Sequence, residues 1–117
     1  MGKLALAAKI THVPSMYLSE QDGPHKGCRQ AAIEGHQEIS RRCRELKVDT
    51  IVVFDTHWLV NSGYHINCAP SWQGIYTSNE LPHFIKNLPF SYQGNPELGR
   101  LIAETATTAG VHTRAHD

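Results

Sequence analysis

The sequence has few cysteines and no excess of charge of either sign. Its cysteines are odd in number and never spaced as C-x-x-C, which disfavours both a disulfide framework and a cysteine zinc site. We expect buried thiols in a reducing cytoplasm at Cys28, Cys43 and Cys68. Lys+Arg and Asp+Glu both number 11, so no overall field favours nucleic acid or an anionic membrane surface. A small neutral ligand is the favoured partner.

Long hydrophobic runs are also absent from the sequence. The apolar stretch at the start is interrupted by Lys9, which makes it too short for the core of a signal peptide. No run reaches the roughly 18 apolar residues that a membrane-spanning helix requires. We therefore expect neither secretion nor membrane insertion, and a cytoplasmic location.

Strand-like and helix-like patterns alternate along the first half of the chain, which favours an α/β fold. The apolar run Lys3–Ile10 predicts a first strand that ends just before His12, and the β-branched run Thr50–Phe54 predicts a second that ends before His57. Between them, apolar residues at spacings of three and four predict a crossover helix over Pro24–Leu46. Since such crossovers are right-handed, the two strands should be parallel, with their carboxyl ends on one side.

The second half continues the alternation less strongly. Tyr64–Ala69 predicts a third strand. The segment Pro70–Gly94, rich in aromatics and proline, predicts a long loop that lines a site, forms a small aromatic cluster or makes a subunit contact. Asn95 as N-cap before Pro96 predicts the start of a helix that Gly110 ends. Val111–Ala115 predicts a last strand.

These elements describe an open, mainly parallel central sheet with crossover helices, whose last strand lacks cover. We therefore expect residues 1–117 to be the N-terminal portion of a larger single α/β domain. An exposed last strand also predicts a homo-oligomer.

His12 and His57 are the candidate metal ligands. Ligands of open α/β sheets bind at the carboxyl ends of the strands, and imidazole is a common donor to transition metals. Such a site still requires a carboxylate. From the residues alone, a histidine at a strand end is as well explained by a hydrogen bond to a backbone carbonyl.

Three further residues lie near the predicted strand ends. Asp55 could complete a metal's coordination, orient a histidine nitrogen or cap a turn. Trp58 packs beneath the metal histidine or lines the pocket, and His116 touches substrate or has no role. The remaining histidines are expected to be structural or exposed: His25, His36, His65, His83 and His112.

Two segments resemble a known family. Thr11-His12-Val13-Pro14 and Asp55-Thr56-His57-Trp58 are similar to the two metal-binding histidine segments of the class III extradiol catechol dioxygenases, the LigB-like enzymes. Asp49–Trp58 and Tyr76–His83 look especially similar, and the resemblance runs through all 117 residues.

The resemblance implies a non-haem Fe(II) held by His12, His57 and one glutamate, with a catechol and O₂ as substrates. Within the family it implies ring cleavage of homoprotocatechuate (3,4-dihydroxyphenylacetate) in the breakdown of aromatic compounds. The glutamate and an acid/base histidine belong to the family's later half, so no catalytic residue is identified in this chain. Two histidines alone would also accept Mn²⁺, Zn²⁺ or Ni²⁺.

Two other classes of function stay open at this point. The same fold occurs in proteins that act through peptide or protein contacts, which would make the chain a non-catalytic binding module. The chain could also be an inactive fragment of the enzyme.

Overall fold

The computed structural model describes residues 2–117. In chain order its elements are α1 (Ser15–Glu20), α2 (Gln30–Glu45), β1 (Tyr64–Asn67), β2 (Ser71–Tyr76), β3 (Leu88–Gln93), α3 (Pro96–Thr108) and β4 (Thr113–His116). They belong to two compact units. The first holds the chain up to Ile51 together with Tyr76–Leu88, and the second holds Val52–Ile75 together with Pro89–Asp117. Helices and a parallel sheet occur together, which confirms the predicted α/β class.

Strands β1 and β4 form the parallel pair in the second unit. Tyr64 lies opposite Thr113 and Asn67 lies opposite His116, so the predicted third and last strands both form, with slightly different limits. The turn before β1 requires glycine. Gly63 has a φ of 73°, and a Cβ there would lie 2.5 Å from the carbonyl oxygen of His112, too close for any other residue.

Helix α3 begins and ends as predicted. The Asn95 side chain accepts a hydrogen bond from the Leu98 amide at 3.1 Å, and Pro96 occupies the first helical position, where its missing N–H has no cost. The helix ends at Thr108, just before Gly110. This N-cap explains why the helix starts where it does.

One face of the β1 and β4 pair is covered by α3. The backbone of Gly99 lies against the Cys68 thiol, and the Thr113 hydroxyl donates to the carbonyl of Ala103 at 2.8 Å. Cys68 is 1% exposed and Ala103 is 7% exposed. Small side chains therefore allow the helix to approach the strands closely, and the buried core of this unit lies between them.

The first unit is built on α1 and α2. Helix α2 begins at Gln30 rather than at the predicted Pro24. The turn before it is held by hydrogen bonds to Ser19 in α1 and not by helical hydrogen bonds. The buried Ser19 accepts the amide of Gly27 on its carbonyl at 2.9 Å and the amide of Arg29 on its hydroxyl at 3.0 Å. The backbone N–H groups of Gly27 and Arg29 therefore have hydrogen-bond acceptors without an additional helical turn. The short helix α1 was not predicted.

The outer face of α2 carries a cluster of charges. Glu38 accepts hydrogen bonds from Arg41 and from Arg42, both at distances of 2.7 to 2.8 Å, and Arg41 also pairs with Glu45. The bonds from Arg41 first, and then from Arg42, lower the pKa of Glu38 from 4.5 to about 2. The opposite side of the helix is half-buried through Ala32, Ile33, His36, Ile39 and Cys43.

The predicted first and second strands are wrong for this chain. Among residues 2–117, Lys3–Ile10 and Thr50–Phe54 make no strand. Buried parallel strands need hydrogen-bonded neighbours and cover on both faces, whereas Ile51, Val53 and Phe54 are 73%, 74% and 85% exposed. Strand propensity alone does not supply the burial that offsets the loss of backbone entropy.

The predicted loop Pro70–Gly94 is also corrected. It contains β2 and β3, which pair as a second two-stranded sheet. The rings of Trp72 and Tyr92 have centroids 6.0 Å apart, and those of Phe90 and Tyr92 are stacked at 6.3 Å. The aromatics of this segment therefore include a local cluster on paired strands.

The cysteines differ in burial, contrary to expectation. Cys68 is buried, Cys43 is half-buried and Cys28 is exposed, and all three are free thiols. Cys28 lies in the turn before α2, outside the helix on which the prediction placed it. In the described part of the chain, no helix has the length and apolar character needed to cross a membrane.

Candidate metal centre

Asp55 and His57 form a local hydrogen-bonded unit. The Oδ1 atom of Asp55 accepts the backbone N–H of His57 at 2.7 Å and lies 2.8 Å from Nδ1 of the same histidine. A carboxylate can only accept, so Nδ1 of His57 donates its proton. The same oxygen therefore closes a turn and fixes the ring, two roles that the sequence offered as alternatives for Asp55.

The segment that carries His12 belongs to the first unit. The carbonyl of Thr11 lies 2.9 Å from Nε2 of His36 on α2. Since a carbonyl only accepts, His36 donates from Nε2. Just after His12, the amide of Met16 donates to the carbonyl of Val13 at 3.0 Å as α1 begins. The backbone on both sides of His12 is therefore held by hydrogen bonds, and His36 has a positioning contact that its helical pattern did not indicate.

A cluster of three rings lies on the β1 and β4 pair. His65 Nδ1 and His116 Nε2 are 2.7 Å apart, and the two rings are stacked with centroids 4.8 Å apart and an interplanar angle of 17°. Trp58 meets both with its edge, at centroid distances of 5.8 Å to His65 and 5.1 Å to His116. Trp58 therefore packs on His65 and His116, whereas the sequence predicted packing beneath the metal histidine or a place in the pocket lining.

The structure thus joins some of the predicted residues within the second unit. Asp55 contacts His57, and Trp58 contacts His116 at the end of β4. His65 was expected to be structural, and its partnership with His116 was missed. The two are 51 positions apart in sequence, so only the strand register could have revealed the contact.

Residues 6–117 match the family of the catalytic LigB subunit of aromatic ring-opening dioxygenase. Because the match covers nearly all of the chain, the chain belongs to this family. The predicted family resemblance is confirmed. Extradiol dioxygenases of this family are metal-dependent.

The chain is also similar to a curated enzyme. The chain is 70% identical, over all of its 117 residues, to a 3,4-dihydroxyphenylacetate 2,3-dioxygenase of Escherichia coli. It spans 42% of the length of that relative. The similarity to the enzyme is therefore close but covers the smaller part of it.

Proposed function

We propose that this chain supplies the two histidine ligands of an extradiol dioxygenase that opens the ring of 3,4-dihydroxyphenylacetate with O₂. The identity of 70% to an enzyme of that name carries the proposal. At such identity, substrate class and reaction are expected to be shared. The proposal concerns the whole enzyme, since the chain spans less than half of its relative.

His57 fits the role of a metal ligand. Metal-binding histidines commonly donate their second ring N–H to a carboxylate, which fixes the ring and raises its basicity. The Asp55 carboxylate makes this contact at Nδ1, so we assign Nε2 of His57 to the metal. Its side chain is 70% exposed, and an incoming ion would therefore reach it. His12, with its backbone held beside α2, is the second ligand.

Fe(II) held by His12 and His57 would supply the centre at which a catechol and O₂ react, and another divalent metal would fit the same imidazoles. The residues of this chain contribute orientation. Asp55 keeps the His57 ring in one tautomer, and the Trp58 ring packs on His116 and holds it at the end of β4. We propose that His116 faces the substrate there.

The chain alone should show little or no turnover. The family resemblance implies that the glutamate ligand and an acid/base histidine belong to the later half of the family's sequence. For the whole enzyme we propose a catechol and O₂ as partners and a cytoplasmic location. We also propose that the chain forms a homo-oligomer, which sedimentation of the purified chain tests.

Metal titration of the purified chain under anaerobic conditions tests the ligand assignment. We expect Fe(II) to bind with one ion per chain, and His12→Ala and His57→Ala each to remove that binding. His25→Ala is the matched control, because His25 is an exposed histidine in the turn before α2. Calorimetry and analysis of bound metal provide the measurement.

Equal Fe(II) binding by the wild type and both ligand variants would contradict the proposal. The same titration separates a metal site from a binding module of the same fold, whose binding would require neither metal nor these two histidines.

A further inference from the structure

The β1 and β4 pair has one face that α3 leaves uncovered. Side chains alternate between the faces of a strand, and Cys68 and Thr113 are directed towards α3. The register pairs His65 with Arg114 and Asn67 with His116, so these residues share the opposite face. That face is polar, in contrast to the face under the helix.

His65 and His116 meet on this polar face. They lie on neighbouring strands, and both are half-buried. Their ring nitrogens are 2.7 Å apart, a normal hydrogen-bond distance. Trp58 packs against both rings, so that aromatic contacts limit their rotation.

This contact couples the protonation of the two rings. In a neutral imidazole one nitrogen donates and the other accepts. If Nδ1 of His65 donates, Nε2 of His116 accepts and the proton of His116 lies on Nδ1. In the reverse arrangement both assignments exchange. In both arrangements one of the two facing nitrogens is protonated and the other is not, and the rings keep the same orientation.

We propose that His65 is a positioning residue, which holds the ring of His116 in one orientation and couples its tautomer to that of His65, for contact with the bound catechol. The contact with catechol rests on the proposed function above, whereas the coupling between the two rings does not depend on it. His65 itself touches no substrate in this arrangement, and acts through His116.

Nuclear magnetic resonance of the histidine ring nitrogens tests the tautomer directly, at about pH 8, where ordinary imidazoles are neutral. In the wild type we expect one protonated and one unprotonated nitrogen at the His65–His116 contact. His65→Phe keeps an aromatic ring but removes the hydrogen bond, so the Nε2 resonance of His116 should move away from its wild-type position. His65→Asn retains a polar group near the position of Nδ1, so this resonance should stay close to its wild-type position. His25→Phe should leave His116 unchanged.

Two results would overturn the coupling between the two rings. One is an unchanged His116 spectrum in His65→Phe. The other is a wild-type spectrum in which both contacting nitrogens are protonated or both are unprotonated. The wild-type measurement needs no variant, so it decides the matter even if His65→Phe does not fold.

Binding of 3,4-dihydroxyphenylacetate to the Fe(II)-loaded chain, without oxygen, tests the role towards substrate. His65→Phe should weaken binding roughly fivefold, the effect of about one hydrogen bond, and His65→Asn should stay within about twofold of the wild type. Equal affinities of wild type and His65→Phe, despite a changed His116 spectrum, would overturn the positioning role. A chain that binds no Fe(II) would instead refute the proposed function. The magnetic resonance test of the His65–His116 contact would still be valid, because it needs no metal.

Discussion

Two helical glycines should respond in opposite directions to the same substitution. Gly99 lies in α3 and Gly35 lies in α2. Alanine in place of glycine within a helix stabilises it by about 1 kcal/mol. At Gly35 a Cβ would meet nothing within 4 Å, so the full gain is expected. At Gly99 a Cβ would lie only 2.8 Å from the Cys68 sulfur, which requires the helix or the strand to move.

The cost of that movement decides the sign at Gly99. Overpacking a tight core costs about 1 to 3 kcal/mol, and Cys68, 1% exposed, has no space into which it could shift. We therefore expect Gly99→Ala to be destabilising by up to about 2 kcal/mol, with no net stabilisation. Gly35→Ala should be stabilising by about 1 kcal/mol. The two variants should then differ by about 1 to 3 kcal/mol.

Native-state hydrogen exchange measures both effects, because it reports the opening free energy of each helix separately. It also avoids treating a chain with two compact units as a single two-state transition. A double variant with Cys68→Ala should recover part of the loss at Gly99, since it removes the contacting sulfur. If Gly99→Ala stabilises α3 as much as Gly35→Ala stabilises α2, the close approach of α3 to β1 is incorrect.

Two further predictions concern carboxylates. Asp55→Ala should lower the Fe(II) affinity of the chain about 10- to 100-fold, because the His57 ring loses its orienting acceptor. Calorimetry measures this affinity, with Asp49→Ala as the control. Equal affinities of the two variants would exclude an orienting role for Asp55. The lowered pKa of Glu38, about 2 against an ordinary 4.5, means that its ion pairs contribute to α2 above pH 4.5 and are lost as the pH falls through about 2. The helical circular dichroism of the wild type should therefore fall over this range more than that of Glu38→Gln, and parallel curves would show that the ion pairs contribute nothing.

The features that were predicted correctly depend on short stretches of sequence. Asn95 and Pro96 determine the start of α3 through contacts within its first turn. The contact of Asp55 with His57, for which the sequence left three roles open, also spans only two positions. Both are local, so the residue types carried enough information. The β-branched and aromatic residues of β1 were likewise sufficient to predict a strand there.

The errors arose where structure depends on distant partners. Thr50–Phe54 has the composition of a strand, yet a strand also needs neighbours that no local pattern specifies. Leu88, Phe90 and Tyr92 do alternate with more polar residues in β3, but Pro89 argued against a strand there, and the pairing of β3 with β2 was missed. The contact between His65 and His116 needs the register of two separate strands, and no spacing in the sequence could indicate it.

The parallel pairing of β1 with β4 has a consequence for how this unit folds. About 45 residues separate the end of β1 from the start of β4, and closing a loop of that length costs on the order of 3 kcal/mol of chain entropy. Helix α3 needs only local contacts and can form first, whereas the strand pair must form late. Since Trp58 packs on rings from both strands, its fluorescence reports the slow closure of the chain rather than the earlier formation of helix.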